Sequence, residues 1–261
     1  MTHRLAVVGG GNMGAALVGG LLRSGWTPGD IAVVEVSAER RAALAEMFPG
    51  VTVSESVPSC AGALIAVKPY DVAAACAASV AAGAQRIVSI AAGISLSALQ
   101  AASGPGVAVV RSMPNTPALV GEGAAGVCGG EGTTDDDLAW AESILGAVGS
   151  TVRVPEPQLD AVTGLAGSGP AYLFLVAEAL TDAGVLAGLS RANSEELVRQ
   201  LFVGSAALLS ERGDPAALRA MVTSPGGTTA AGLRVLEENA VRSAFLEAVM
   251  AATARSRALG A

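Results

Sequence analysis

Two stretches of this sequence gather residues suited to holding a negatively charged ligand. The first runs from Met221 to Gly232 and reads MVTSPGGTTAAG. Asp214 followed by Pro215 has the pattern of an N-cap and first helical position, which predicts a short helix from about Pro215 to Val222. Ser224-Pro225-Gly226-Gly227 then breaks it, and Thr228 or Thr229 is expected to cap a new helix carrying Leu233 and Leu236 on its apolar face. A helix opening on two adjacent glycines presents backbone N–H groups that no side chain covers. Gly226, Gly227 and Thr228 thus form a nest that suits a small anion such as a substrate carboxylate, with Ser224 at its rim. Read alone, the stretch is equally a connector between two helices.

The second stretch makes the ligand reading the stronger one. Leu5 to Val8 has the pattern of a short buried strand, and Gly9-Gly10-Gly11-Asn12-Met13-Gly14 follows at once. An amphipathic helix then carries Ala16, Leu17, Leu21 and Leu22 until Gly25. This is G-x-G-x-x-G in strand–turn–helix context. Gly9 permits the tight turn, Gly11 lets backbone approach a pyrophosphate, Gly14 allows close helix–strand packing, and Asn12 and Met13 open the helix. Ile31 to Glu35 reads as the second strand, about twenty residues beyond, as the dinucleotide fingerprint requires. The Glu35 carboxylate there would accept hydrogen bonds from an adenosine ribose and repel a 2′-phosphate. Ser37, Arg40 and Arg41 follow closely and suit that phosphate instead. NADH and NADPH both remain open, with a slight lean towards tolerance of NADH.

The alternation continues with a helix from Arg40 to Met47 and strands at Gly50 to Val53 and Ala63 to Val67. Ala66-Val67-Lys68-Pro69 thus falls at a strand's carboxyl edge, where ligands of such sheets bind. Another helix covers Val72 to Ala82. The strand from Arg86 to Ile90 ends in Ala91-Ala92-Gly93, small residues at the same edge. A helix over Leu96 to Ala102 and a strand over Val107 to Arg111 lead to Ser112-Met113-Pro114-Asn115-Thr116-Pro117, a doubly proline-braced loop where a nicotinamide needs a floor. A strand at Val127-Cys128, a helix over Asp136 to Val148 and a strand over Thr151 to Val154 close the sheet. Beyond Pro155 and Pro157 the pattern is helical only: Ala171 to Ala183, Arg191 to Arg212, Thr228 to about Glu238, and Ala240 to Leu259. The fold class expected is α/β, a mostly parallel Rossmann-type sheet over residues 1–156 followed by an all-helical domain over 157–261. The helices are apolar on more than one face, which predicts that they bury a second copy of themselves. That makes a homodimer at least, with assembly of dimers into a larger homo-oligomer left open.

Composition limits the partners. The net charge is −7, and the sequence has no lysine–arginine block, so nucleic acid is excluded as a partner. Mean hydropathy of +0.53 raises the question of a membrane. The two long uncharged stretches, Ile87 to Val110 and Ala161 to Ala177, are interrupted by glycine and proline, and neither reads as a spanning helix. The chain enters its first strand directly, without a signal-peptide pattern. Cys60, Cys76 and Cys128 lie far apart in apolar surroundings, without metal-ligand spacing, and read as core residues of a cytoplasmic protein.

A nicotinamide fold makes hydride transfer the default reaction. His3 is the only histidine and precedes the first strand, which argues against a His-dependent alcohol dehydrogenase, and no H-E-x-x-H or cysteine cluster offers zinc. The missing proton donor points to a substrate that carries its own. A protonated imine already polarises its carbon, so the protein need only hold it. A carboxylate fixed in the Gly226–Thr228 nest would place the Thr229 hydroxyl beside the imine nitrogen.

Four blocks then carry a likeness over nearly the whole length: Gly9 to Gly14; AVKP at Ala66 to Pro69; GLAGSGPAY at Gly164 to Tyr172; and DPAALRAMVTSPGGTTAAGLRVLE at Asp214 to Glu237. On these the chain resembles pyrroline-5-carboxylate reductases, and the last block is the most specific. The resemblance implies NAD(P)H-dependent reduction of 1-pyrroline-5-carboxylate to L-proline, the last step of proline synthesis, by a Rossmann domain and a helical domain that interlocks with a partner subunit. It implies that Thr229 meets the imine nitrogen, that Gly226 to Thr228 hold the carboxylate, and that this loop serves the adjoining subunit's site. Gly11 to Met13, Ala66 to Lys68 and Ala91 to Gly93 would line the cofactor. Val53 stands where the family often has Asn, Leu201 where Thr is frequent, and Met221 where some relatives are polar. Two competitors remain. A β-hydroxyacid dehydrogenase would need a lysine in the helical half, and residues 155–261 contain none. A non-catalytic dinucleotide-sensing dimer would leave the SPGGTT nest without a purpose.

Overall fold

Runs of four apolar residues with no polar alternation need cover on both faces, and the computed structural model, which describes residues 2–260, supplies it. Strands β1 (Leu5–Val8), β2 (Ile31–Val34) and β4 (Gly62–Ile65) are buried at every position. With β3 (Thr52–Ser54), β5 (Arg86–Ser89), β6 (Ala108–Met113), β7 (Gly123–Gly129) and β8 (Gly149–Arg153) they form one sheet in the order β3-β2-β1-β4-β5-β6-β7-β8. All neighbours pair in parallel except β6 with β7. The expected α/β class and mostly parallel sheet are what the molecule has.

Alternate residues of each strand feed opposite cores. Leu5, Val7, Ile31, Val33, Leu64 and Val88 pack on one face with Leu17, Val18 and Leu21 of α1 (Asn12–Arg23), Leu44 of α2 (Ala38–Met47) and Ile144 of α5 (Asp135–Leu145). Ala6, Val8, Ala63, Ile65, Ile87 and Val109 pack on the other with Cys76 of α3 (Val72–Ala81), Leu99 of α4 (Leu96–Ser103) and Leu159 of α6 (Leu159–Val162). The strand expected only at Val127-Cys128 is the seven-residue β7. Its glycines hid it from a hydrophobic pattern, yet they are what its packing requires. A Cβ on Gly126 would come within 2.9 Å of Leu159 and 3.0 Å of Val162, so α6 lies on bare backbone there.

The molecule divides into two compact units, residues 1–168 with 251–261, and residues 169–250. The change from strands to helices does follow β8, near the limit expected at residue 156, but the packing limit falls at Ser168. The end of α11 (Val241–Leu259) belongs with the first unit, where Ser256 Oγ donates to Asp160 Oδ1 at 2.7 Å. The second unit contains α7 (Gly169–Leu186), α8 (Arg191–Arg212), α9 (Pro215–Met221) and α10 (Thr228–Glu238). Its buried residues are two, Thr181 and Ser194, and both are polar; Ser194 Oγ donates to Thr181 O at 2.7 Å. Leu173, Phe174, Leu175, Leu201, Leu246 and Met250 are all exposed in the single chain. Such a unit has no apolar interior of its own.

One expectation needs correcting. Glycine and Pro170 do not interrupt the segment around Ala161 to Ala177, because Glu156–Leu186 is a continuous helical run, long and apolar enough to cross a membrane by length and composition. Pro170 sits in the first turn of α7, where its missing N–H costs nothing, and the chain enters it through a π-helical turn at Thr163–Gly167. Polar ties nevertheless hold the start of this run to the first unit, through Asp160 and through Glu156, whose Oε1 accepts from Arg111 Nη1 at 2.8 Å.

The most heavily tied buried carboxylate, Asp137, is 7% exposed and caps α5. Its Oδ2 accepts from Thr134 N at 2.9 Å and Thr134 Oγ1 at 2.6 Å, and its Oδ1 lies 2.7 Å from Arg86 Nε. Burial pushes its carboxyl up, but the Thr134 donors and the Arg86 charge outweigh that and hold it below the usual carboxylate range. A lowered folded value means the stabilisation is complete at neutral pH and is lost as pH falls through it. Asp137→Asn is expected to cost about 1–3 kcal/mol at pH 7. Urea unfolding over a pH series should show the gap from wild type closing on acidification, and a gap unchanged in acid would refute the assignment.

Candidate active site

Because β1, β2, β4, β5 and β6 run parallel, their carboxyl ends share one edge, and the site is built along it. At its centre Gly9 has φ +110°, and a Cβ there would lie 2.5 Å from Ala66 O. The turn after β1 therefore crosses tight against the start of the AVKP segment, whose Ala66 N donates to Val8 O at 2.8 Å. A Cβ on Gly14 would collide with Gly9 O, so α1 can leave this close to β1 only from a glycine. Gly11 differs, with no atom within 4 Å of a Cβ built on it. It is the N-cap of α1, extended at φ −66° and ψ −172°, and no side chain accepts from the helix. The first helical bond is Ala15 N to Gly11 O at 2.9 Å, so the N–H groups of Asn12, Met13 and Gly14 precede the helical ladder. These residues fit a dinucleotide's pyrophosphate: the cradle is one that a side chain on Gly11 would fill.

Glu35 stands just past β2, beside the glycine turn. Its Oε2 accepts from Gly10 N at 3.2 Å and its Oε1 from Ser37 N at 3.0 Å. The residues set against it in the sequence bond around it. Ser37 Oγ accepts from Arg40 N as the N-cap of α2, and Arg40 Nε donates to Gly10 O at 2.9 Å. Arg41 Nη1 donates to the carbonyls of Glu35 and Val36 at 2.9 and 2.8 Å.

Along the edge towards β6, Val67 is half-buried, while Lys68 and Pro69 are exposed where the chain turns after β4. Ala91 is buried and its N–H bonds Ser89 Oγ at 3.3 Å; Gly93 takes φ +76°. A Cβ on Gly93 would lie 3.4 Å from Leu259 O, so this glycine also admits the end of α11. A residue not singled out from the sequence anchors the segment. Glu156 Oε1 accepts from Leu96 N at 2.7 Å as well as from Arg111, fixing the start of α4 to β6. Nothing in periodicity or motif announces it, because its partners lie 60 and 45 residues away.

The three thiols are not reagents. Burial pushes each up, and Cys128, with the charge of Glu156 adding to burial, is pushed up to about 11. His3 stands at the opposite, amino edge with Nδ1 3.0 Å from Gly29 O.

In the second unit, Asp214 accepts from Ala216 N and Ala217 N at 2.9 and 3.2 Å as the N-cap of α9. Ser224-Pro225-Gly226-Gly227 is a tight turn closed by Gly227 N to Ser224 O at 3.1 Å, and Gly226 has the φ of +69° that a proline-led type II turn demands. Thr228 and Thr229 are not caps. The N-cap of α10 is Gly227, with φ −76°, ψ 171° and no side-chain bond, and the threonines are the first two helical residues. The first helical bond is Ala231 N to Gly227 O at 3.2 Å, so the N–H groups preceding it are those of Thr228, Thr229 and Ala230. The turn spends the N–H of Gly227, so within the Gly226–Thr228 set that donor is committed to Ser224 O. Ser224, Gly226 and Thr228 are exposed, and Thr229 is half-buried.

Known proteins share this architecture. A family model for pyrroline-5-carboxylate reductase dimerisation matches residues 156–259, and one for NADP oxidoreductase, coenzyme F420-dependent, matches residues 4–93. The pyrroline-5-carboxylate reductase of a Synechocystis species is 44% identical over 100% of this chain and 99% of its own length. That of Escherichia coli is 38% identical over 99% of each. The chain belongs to the pyrroline-5-carboxylate reductase family. Among solved structures, a pyrroline-5-carboxylate reductase from Coxiella burnetii matches with a TM-score of 0.94 at 33% identity, covering 100% of both chains. The Plasmodium falciparum pyrroline carboxylate reductase with NADP bound gives 0.83 at 30% identity, covering 99% of this chain and 98% of that one.

For a reductase of this family, Glu35 is the group to vary. Removing its charge frees Gly10 N and Ser37 N and lifts the repulsion of a 2′-phosphate. Glu35→Ala is expected to raise the NADPH-to-NADH ratio of kcat/KM about tenfold. Initial rates with each nucleotide measure it, and an unchanged ratio would remove Glu35 from cofactor choice.

Proposed function

We propose that this chain reduces 1-pyrroline-5-carboxylate to L-proline with NADPH or NADH as the last step of proline synthesis, working as a homodimer in the cytoplasm. The observation that carries the proposal is a pair of helix openings, on α1 and α10, each with a glycine N-cap and each without a side chain accepting from its N–H groups. One suits a diphosphate and the other a carboxylate. The likeness to pyrroline-5-carboxylate reductases over the whole chain supports that reading of the two ligands.

When bound, the nicotinamide supplies the hydride; the rest falls to the chain. Gly9, Gly11 and Gly14 hold the pyrophosphate with Asn12 and Met13, Glu35 and Ser37 border the ribose, and Ala66 to Pro69 with Ala91 and Gly93 line the path towards β6. Ser224, Gly226, Gly227 and Thr228 shape the carboxylate site, and the Thr229 hydroxyl meets the ring nitrogen. In the product the C=N π electrons have become the nitrogen lone pair, and the nitrogen keeps the proton it brought. No histidine is needed, which agrees with the placement of His3 at the far edge.

A helical unit with two buried residues, both polar, supports the homodimer, because its leucines and phenylalanines need a surface to cover them. The exposed SPGGTT turn is then completed by the cofactor edge of the adjoining subunit. Further assembly of dimers is compatible with the same exposed faces. The three buried, unpaired thiols suit a reducing cytoplasm. The β-hydroxyacid dehydrogenase alternative lacks its lysine, since Lys68 is the chain's only one.

Turnover is expected when the protein is mixed with NADPH and pyrroline-5-carboxylate and absorbance loss is followed. Thr229→Val should lower kcat/KM about tenfold or more by leaving the nitrogen without its hydroxyl partner, while His3→Ala retains activity. Wild-type rates from Thr229→Val would remove that hydroxyl from the mechanism, and binding of NADPH without any turnover would favour a dinucleotide sensor.

A further inference from the structure

The loop after β6 contains a side chain committed at both ends. Asn115 Nδ2 donates to Ala166 O at 3.0 Å, and its Oδ1 accepts from Ala124 N of β7 at 2.8 Å. Its own carbonyl accepts from Ala118 N at 3.2 Å, and the neighbouring Pro114 is buried. Ala166 lies in the π-helical turn Thr163–Gly167, which Ser168 N closes onto Thr163 O at 2.8 Å.

The partner is chosen by chemistry. A helical carbonyl at position 166 looks to the N–H of residue 170, but residue 170 is proline and has none. Pro170 thus leaves the Ala166 carbonyl short of its α-helical donor, and the carboxamide of Asn115 supplies one from across the fold. A second contact follows the same line: a Cβ built on Gly167 would stand 3.3 Å from Met113 Cε, so the turn rests on the end of β6 as well.

What this holds in place is the last loop on the carboxyl edge. The adenosine side is set by Glu35 beyond β2 and the pyrophosphate cradle by the turn after β1. A dinucleotide running on past β4 and β5 ends its length at β6, where residues 112–117 lie. We propose that Asn115 is a positioning residue for the reduction: by tying the 112–117 loop to the π turn and to β7, it fixes the surface on which the nicotinamide ring rests. The inference builds on the reductase reading above, but its consequence for the bound nucleotide does not require a substrate.

Asn115→Asp keeps the shape and the acceptor towards Ala124 N but replaces the donor to Ala166 O with a repelling oxygen. Asn115→Ser serves the same purpose should the aspartate fail to fold. With NADPH alone, the expected result is a Kd within about twofold of wild type, since the pyrophosphate and adenosine contacts are untouched, together with a changed emission of the bound nicotinamide. With pyrroline-5-carboxylate added, kcat is expected to fall about tenfold to a hundredfold. A merely structural role would lower the melting temperature and leave kcat and emission alone, and that result overturns the proposal. So does a loss of NADPH affinity in parallel with kcat. If wild type binds NADPH but turns nothing over while the variant's emission still changes, the positioning role stands and the reductase reading falls.

Discussion

Every α-helix begins with N–H groups that its own ladder cannot satisfy, and what a protein does with them governs this one. Serine, threonine or aspartate side chains take that duty at the start of α2, α4, α5, α8 and α9, through Ser37, Ser95, Thr134, Ser190 and Asp214. The helices α3 and α6 also lack a capping side chain but continue directly from a 3-10 turn, whereas at α1 and α10 the cap is glycine in extended conformation and no side chain intervenes. A capping side chain is worth about 0.5–2 kcal/mol, so two bare ends are a cost that a ligand oxygen can offset. The neighbouring geometry follows from keeping those ends bare and approachable. Gly9 and Gly14 let α1 start against β1, and the Ser224–Gly227 turn ends with Gly227 already extended for α10.

How far this could be read from the sequence depended on whether a feature was local. β1, the glycine turn and the first turn of α1 are contiguous, so residue order alone sets them. The same is true of the Asp214 cap and the break at Ser224-Pro225. Thr228 and Thr229 misled because threonine is a good cap by type, whereas the deciding factor was the backbone of Gly227. β7 was nearly missed because its alanines and glycines are selected by the helix packed on them, not by an alternating pattern. Arg40, Arg41 and Ser37 were legible as a basic, hydroxyl-bearing cluster, but that Arg40 Nε reaches back 30 residues to Gly10 O was not. Glu156 and Asn115 were invisible as anchors, since hydrogen bonds spanning 45 residues or more leave no periodicity behind.

The helical unit shows where burial rather than hydrogen bonding is the governing constraint. Its hydropathy suggested a second copy, and the sequence also suggested that Pro170 would break the apolar run. Proline in a first helical turn does not break a helix, so the run from Glu156 to Leu186 is continuous and satisfies the simple test for a membrane span. Length and composition do not decide between lipid and protein as the cover. Polar ties are made at the start of the run, by Asp160 with Ser256 and by Glu156 with Leu96 and Arg111. Those groups hold residues 156–160 within the first unit, and the family model that matches residues 156–259 is one for dimerisation.

Proline at position 170 illustrates how one local choice obliges another far away. It ends the need for an N–H at the start of α7, but it also withdraws the donor that Ala166 O would have used. A buried or half-buried carbonyl left so costs about 1–3 kcal/mol, and the fold answers with the carboxamide of Asn115. The side chain it uses belongs to the loop at the end of the ligand edge, so satisfying a backbone group and fixing a loop become one event. A hydrophobic contact could have held the same two segments together, but it would have allowed them to slide. Two directional bonds from one planar carboxamide, 3.0 and 2.8 Å long, do not.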